Sequence, residues 1–215
     1  MTLSNPAVRP ARAVLVLAML AALLAGCGGL TRPAVVKRTF LLDPPLPAAV
    51  TGEPKNTTLR VAPLNVAAPF RGKAFVYRTG PLAFESDYYD EFFVPPAAML
   101  TDATARALAA ARVFARVAPP GSSGSVGEYV LDGFVSALYA DTRERARPAA
   151  VIAIDFYVSP ATEPGTRVVW NRRYEQRATA QGDGPDALAQ AWNAALGQLL
   201  ADLARDLAAA SLPEP

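Results

Sequence analysis

Residues 83–93 read Ala-Phe-Glu-Ser-Asp-Tyr-Tyr-Asp-Glu-Phe-Phe, the densest run of chemically capable side chains in the chain. Glu85, Asp87, Asp90 and Glu91 place four carboxylates within seven positions. Two carboxylates held apart can divide acid and base work at a glycosidic bond, and clustered oxygens can hold Ca²⁺. The spacing lacks the pattern of an EF-hand loop, and no second acidic cluster follows, so the block compels neither chemistry. Carboxylates at a strand-to-helix junction can simply cap the helix or favour its dipole. The interleaved Phe84, Tyr88, Tyr89, Phe92 and Phe93 suit core and rim packing, or an interface where aromatics sit beside charges. Arginines gather elsewhere: Arg143, Arg145 and Arg147 in one turn, then Arg167, Arg172, Arg173 and Arg177 along one stretch. They fit a solvated hairpin face. They also fit a contact in which Arg143, Arg145, Arg172 and Arg173 complement Glu85, Asp87, Asp90 and Glu91 on a second copy of the chain or on another partner.

The residue types that are missing narrow the chemistry further. With no His and one Cys in 215 residues, His-based acid/base triads, His metal sites and internal disulfides are excluded. Ser122, Ser123 and Ser125 lie in a Gly-rich loop without G-x-S-x-G or a phosphate-loop lysine, so a loop is the simpler reading. No metal or cofactor is expected. The formal charge of +2 comes from Arg9 and Arg12, which leaves 19 bases against 19 acids from Cys27 onward. A neutral chain outside the cytoplasm is a poor partner for nucleic acid.

Arg9 and Arg12 precede the thirteen apolar residues Ala13 to Ala25, then Gly26 and Cys27, the pattern of a secretory signal. A helix of that length rises about 20 Å against a bilayer core of about 30 Å. Leu24-Ala25-Gly26-Cys27 resembles the bacterial lipobox, in which the chain is cut between the residues corresponding to Gly26 and Cys27 and the thiol receives a diacylglycerol. A plain secretory cut or a short membrane anchor are the other readings. The resemblance implies lipids on Cys27, and Gly28 in place of Asp points by sorting rules to the outer membrane. Residues 1–26 are then signal, 27–34 a lipidated tether, 35–210 the folded domain and 211–215 a tail.

Elements that would position these groups follow from periodicity. Strands are expected at 35–42, 58–63, 74–78, 82–85 and 113–117, and longer ones at 129–139, 149–159 and 167–177. In the longer three, Val130, Phe134 and Leu138 should share one face, as should Ile152, Ile154, Phe156 and Val158, and Val168, Trp170 and Tyr174. Pro95-Pro96 opens a helix with Met99, Leu100, Ala103, Ala107, Leu108 and Ala111 on one stripe and an Asp102–Arg106 pair on another. Leu188, Trp192, Leu196, Leu199, Leu203 and Leu207 form the stripe of a closing helix over 186–209. The fold class is α+β: a single domain with a largely antiparallel sheet and two helices packed on one face.

The lipobox, the stretch RTFLLDPP, the segment LRVAPLNVAAPFRGKAFVYRTGPLAFESDYYDEFFVPPAAML and the strand-rich second half together resemble the ABC-type transport auxiliary lipoproteins. The Pqi-type lipoprotein that partners an MCE-domain lipid conduit belongs to that family. The resemblance implies a non-enzymatic, periplasm-facing accessory at the outer membrane. Its partners would be an MCE-domain protein and an ABC permease and ATPase that move lipid between membranes. Many relatives carry a Trp shortly before the first helix, where this chain has Phe92-Phe93. Two other classes stay open: an outer-membrane assembly lipoprotein with a different envelope partner, and an envelope enzyme using the carboxylates.

Overall fold

The computed structural model describes residues 36–118, 120–121, 127–164 and 167–213. Gly26, Cys27, the tether and Ser122 to Ser125 lie outside the described residues. The order is β1 (Arg38–Phe40), β2 (Lys55–Val61), β3 (Asn65–Val66), β4 (Ala74–Arg78), β5 (Phe84–Phe92), α1 (Pro96–Ala111), β6 (Phe114–Ala118), β7 (Tyr129–Asp141), β8 (Ala149–Pro160), β9 (Trp170–Thr179) and α2 (Pro185–Ala209). It is an α+β domain, and Lys37–Pro215 is one compact unit.

The long strand β7 organises the sheet. One edge pairs antiparallel with β8, and β8 in turn with β9, the expected meander. The other edge takes β2, β3 and β4 in succession, all parallel to β7, at Tyr129–Leu131, Phe134–Val135 and Ala140–Asp141. Beyond them β6 lies parallel to β2, β5 antiparallel to β4, and β1 parallel to β5. The sheet is therefore mixed; antiparallel pairing holds in the meander and the β4–β5 hairpin, but not in the remaining pairings.

One face of this sheet carries both helices. Leu59, Phe75, Leu131, Ile152, Ile154 and Phe156 meet Leu100, Leu108, Trp192, Leu196 and Leu203 in a single buried core. Every apolar position expected on the α2 stripe is buried, and so are Met99, Leu100, Ala103, Ala107, Leu108 and Ala111 of α1. Asp102 and Arg106 pair at 2.8 Å as their spacing requires. The Trp192 ring packs against Phe75 (4.9 Å) and Phe92 (5.4 Å), and its Nε1–H donates to the Val151 carbonyl. Residues 41–50 strap the outside of the helices. The Leu42 N–H donates to Met99 Sδ, Val50 N–H donates to the Ala111 carbonyl, and a Cβ on Gly197 would lie 2.9 Å from the Pro45 ring.

Leu138 does not share a face with Val130 and Phe134. Phe134 is 42% exposed and paired with Asp155, on the face away from the helices, whereas Leu138 is buried opposite Ile152. The register slips by one residue between Val135 and Ala137. Such a bulge inserts one residue and reverses the alternation beyond it. In the third strand Tyr174 is buried and Trp170 half-buried, but Val168 precedes β9 and is 44% exposed.

Candidate functional site

The acidic-aromatic block is strand β5, not a junction that caps α1. The α1 cap is Pro95, with no side-chain hydrogen bond and no acid in the first turn. Asp and Glu are poor strand formers, and cations from neighbouring chain stabilise them here. Arg38 on β1 grips the buried Asp90 through Nε (2.8 Å) and Nη2 (3.0 Å). Glu91 lies between Lys73 (3.3 Å) and Lys37 (3.4 Å), which hold its carboxyl below its usual range, Lys73 most strongly.

Asp87 has a different role. Its Oδ1 accepts from the N–H groups of Tyr89 (2.7 Å) and Asp90 (3.0 Å). Those bonds shape the irregular stretch where β5 slips register against β4 between Ala74 and Val76. Partial burial works against ionisation of Asp87, but these N–H groups and the Tyr77 hydroxyl outweigh it and hold the acid below its usual range. Burial first, and then the Asp87 charge, push the Tyr77 hydroxyl well above its normal range. Glu85, at the start of the strand, accepts from the Thr79 hydroxyl.

With its backbone bent here, β5 presents Tyr88 (72% exposed) and Tyr89 edge to face, ring centres 5.1 Å apart, with the Lys37 ammonium 5.1 Å from the Tyr88 centroid. Asp90 and Glu91 are thus held by cations and Asp87 by backbone. Among the described residues, no group of three or more Cys, Asp or Glu could hold a metal ion. What the strand offers is a rigid aromatic pair ringed by satisfied charges, the composition of a docking anchor.

The arginines are not brought to the acids of β5. Arg143 (2.7 and 2.9 Å) and Arg177 (2.7 Å) converge on Asp141, which is 2% exposed. The Arg143 guanidinium, and then Arg177, hold that carboxyl far below its ordinary value against the opposing effect of burial. Arg172 reaches Asp206 of α2 at 3.0 Å, and Arg173 reaches Asp155 and Glu175. Arg145 is exposed in the β7–β8 turn. Asp141 went unnoticed in the sequence because it reads as one turn-forming residue; the strand end that aligns it with Arg177 is a product of tertiary register.

The fold is shared with solved proteins. Protein XCC0632 from Xanthomonas campestris superposes with a TM-score of 0.67 at 20% identity, over 77% of this chain and 92% of that one. A second, described as an uncharacterized protein, superposes with a TM-score of 0.62 at 18% identity, over 80% and 99%. No curated protein matches the chain. The class is that of a lipoprotein component in a transport system. The chain belongs to the family described as the ABC-type transport auxiliary lipoprotein component, matched over residues 40–204.

Proposed function

We propose that this chain is a non-enzymatic outer-membrane lipoprotein that docks the periplasmic conduit of an ABC/MCE-type lipid transport system. The family match over residues 40–204 carries the reading, and the lipobox Leu24 to Cys27 supports it. Lipids on Cys27 hold the body at the membrane, since two or more acyl chains anchor stably where one binds only marginally. The Tyr88–Tyr89 pair, bordered by Glu85, Asp87, Asp90 and Glu91, is the surface for the conduit, because exposed aromatics fixed in one geometry lose little entropy on docking. Arg143 and Arg145 sit in the β7–β8 turn beside the β4–β5 turn, whereas Arg172 and Arg173 lie on β9, several strands from β5, so a contact between those two and the acids of β5 is made between molecules, through a partner or a second copy.

The test is capture from detergent-solubilised envelopes through a tag at the C-terminus. An MCE-domain protein with ABC permease and ATPase subunits should co-purify, and the intact mass should carry a diacylglyceryl-modified Cys27. Recovery of a different envelope assembly without those components would overturn the transport assignment. Loss of substrate turnover on replacing Glu85, Asp87, Asp90 and Glu91 by Ala, with partners retained, would overturn the non-enzymatic one.

A further inference from the structure

The end of the sheet carrying the β4–β5 turn and the β7–β8 turn has features the docking role does not use. The two turns are joined: the N–H and hydroxyl of Thr142 both donate to the Arg78 carbonyl, at 3.0 and 3.2 Å. Arg78 in turn fixes the hairpin, donating to the carbonyls of Gly80 (3.3 Å) and Pro81 (2.9 Å). At the tip stands Leu82, 95% exposed. Leu82 is the most exposed large apolar side chain among the described residues, above Leu41 (57%) and Leu46 (52%), and it stands on a firmly held turn.

Beside it, the β7–β8 turn holds three arginines with different roles. Arg143 is bound to Asp141. Arg145 and Arg147 are exposed, and among the described residues their guanidinium groups have no ion pair or hydrogen bond. Glu144 in the same turn and Glu85, bonded to Thr79 of the β4–β5 turn, leave no large net charge there. The chemistry offered is therefore short-range: free guanidinium groups that take phosphate oxygens in pairs, beside an apolar tip.

The strand directions tell which way this end faces. β1 runs parallel to β5, so its N-terminal end points toward Phe84 and the turns. Ten residues separate Lys37 from Cys27, a reach of at most about 35 Å. From the level of Tyr89 to that of Phe84 a strand covers only about 17 Å. The anchor therefore has enough chain to bring this end against the lipid.

We propose that this end of the sheet is a membrane-apposed surface, on which Leu82 enters the headgroup region while Arg145 and Arg147 bind phospholipid phosphates. The inference rests on the lipid anchor at Cys27 proposed above. It leaves the Tyr88–Tyr89 edge facing sideways, clear of the bilayer.

The test uses the mature lipidated chain in vesicles of phosphatidylethanolamine containing phosphatidylglycerol. With the Cys27 thiol consumed in a thioether, Leu82→Cys introduces a single free thiol for a polarity-sensitive dye; Val168→Cys does the same at the opposite end of the sheet. The dye at position 82 should shift to the blue and resist an aqueous quencher, and the dye at 168 should not. Adding Arg145→Gln with Arg147→Gln should lower the ratio of protected to exposed dye about 25-fold, from about fivefold per surface cation. Equal quenching at 82 and 168 overturns the proposal and leaves the turns to a protein partner. Protection that survives the arginine replacements overturns the phosphate contact. An intact mass without lipid removes the anchor itself, an outcome read independently of the dye.

Discussion

Removing the Trp192 side chain tests how β5 is held. Trp192 is fully buried, packs against Phe75 of β4 and Phe92 at the end of β5, and donates to the Val151 carbonyl of β8. One side chain thus ties α2 to both halves of the sheet. Trp192→Ala deletes two aromatic contacts and opens a cavity, a change that costs about 3–5 kcal/mol in a close-packed core. For a domain of this size each kcal/mol lowers the melting temperature by about 2–4 °C, so a fall of about 10 °C is expected. Trp192→Phe keeps a ring against Phe75 and Phe92 but loses the indole donor, worth about 1 kcal/mol, and the outer part of the ring; about 2 kcal/mol in total is expected. The assay is thermal unfolding of the mature-length chain followed by circular dichroism. Because the sequence has only two tryptophans, the variants also report the half-exposed Trp170 alone by its emission. Amides near Phe92 should exchange faster in the alanine variant than those of the β7–β8 meander, which has its own ladder. A loss below about 1 kcal/mol for Trp192→Ala would refute the keystone role. Equal losses for Ala and Phe would mean that the hydrogen bond, and not the ring contacts, carries the energy.

Three further outcomes follow from the same geometry. The Asp141 carboxyl has a lowered pKa in the folded state, so its stabilisation is complete above the unfolded value of about 4 and is lost as pH falls below that toward its own titration; urea midpoints of the natural chain should drop between pH 7 and pH 3 more than those of Asp141→Asn, and parallel curves would refute the assignment. Gly197→Ala gains about 1 kcal/mol of helix propensity but pushes a Cβ to 2.9 Å from the Pro45 ring; faster exchange of the Val50 amide with little change in global stability is expected, and unchanged protection would show that the strap yields at no cost. Replacing Tyr88 and Tyr89 together by Ala should leave the melting temperature within about 2 °C while capture of the conduit falls at least tenfold, and capture equal to that of the natural chain would remove the pair from the docking surface.

The helices and the meander were legible because their apolar residues recur at regular steps, across twenty positions from Leu188 to Leu207 and seven from Ile152 to Val158. The parallel pairings of β2, β3 and β4 with β7 were not, since each joins residues 63 to 70 positions apart and leaves no local mark. Leu138 was grouped with Phe134 because a one-residue bulge is invisible to a period of two. The block at residues 84–92 is a strand although its acids argue against one, because Lys37, Arg38 and Lys73 arrive from elsewhere to neutralise them. Among the site residues, Tyr88, Tyr89 and the arginine turn drew notice by composition. Leu82 did not, since one leucine becomes informative only when its exposure is known.

The three short strands laid end to end along β7 also bear on how the chain is made. A polypeptide emerging N-terminus first can close the β4–β5 hairpin early, and β2 can meet β6 once Ala118 is out. Those two pieces have no common strand until Tyr129–Asp141 appears, with about two thirds of the chain already delivered. Until then Leu59, Phe75 and Leu100 lack the wall against which they are buried, and the growing chain exposes apolar surface that the finished fold covers. The last helix, bringing Trp192, then locks the assembly, so the order of synthesis delays the compact state until nearly the whole chain is made.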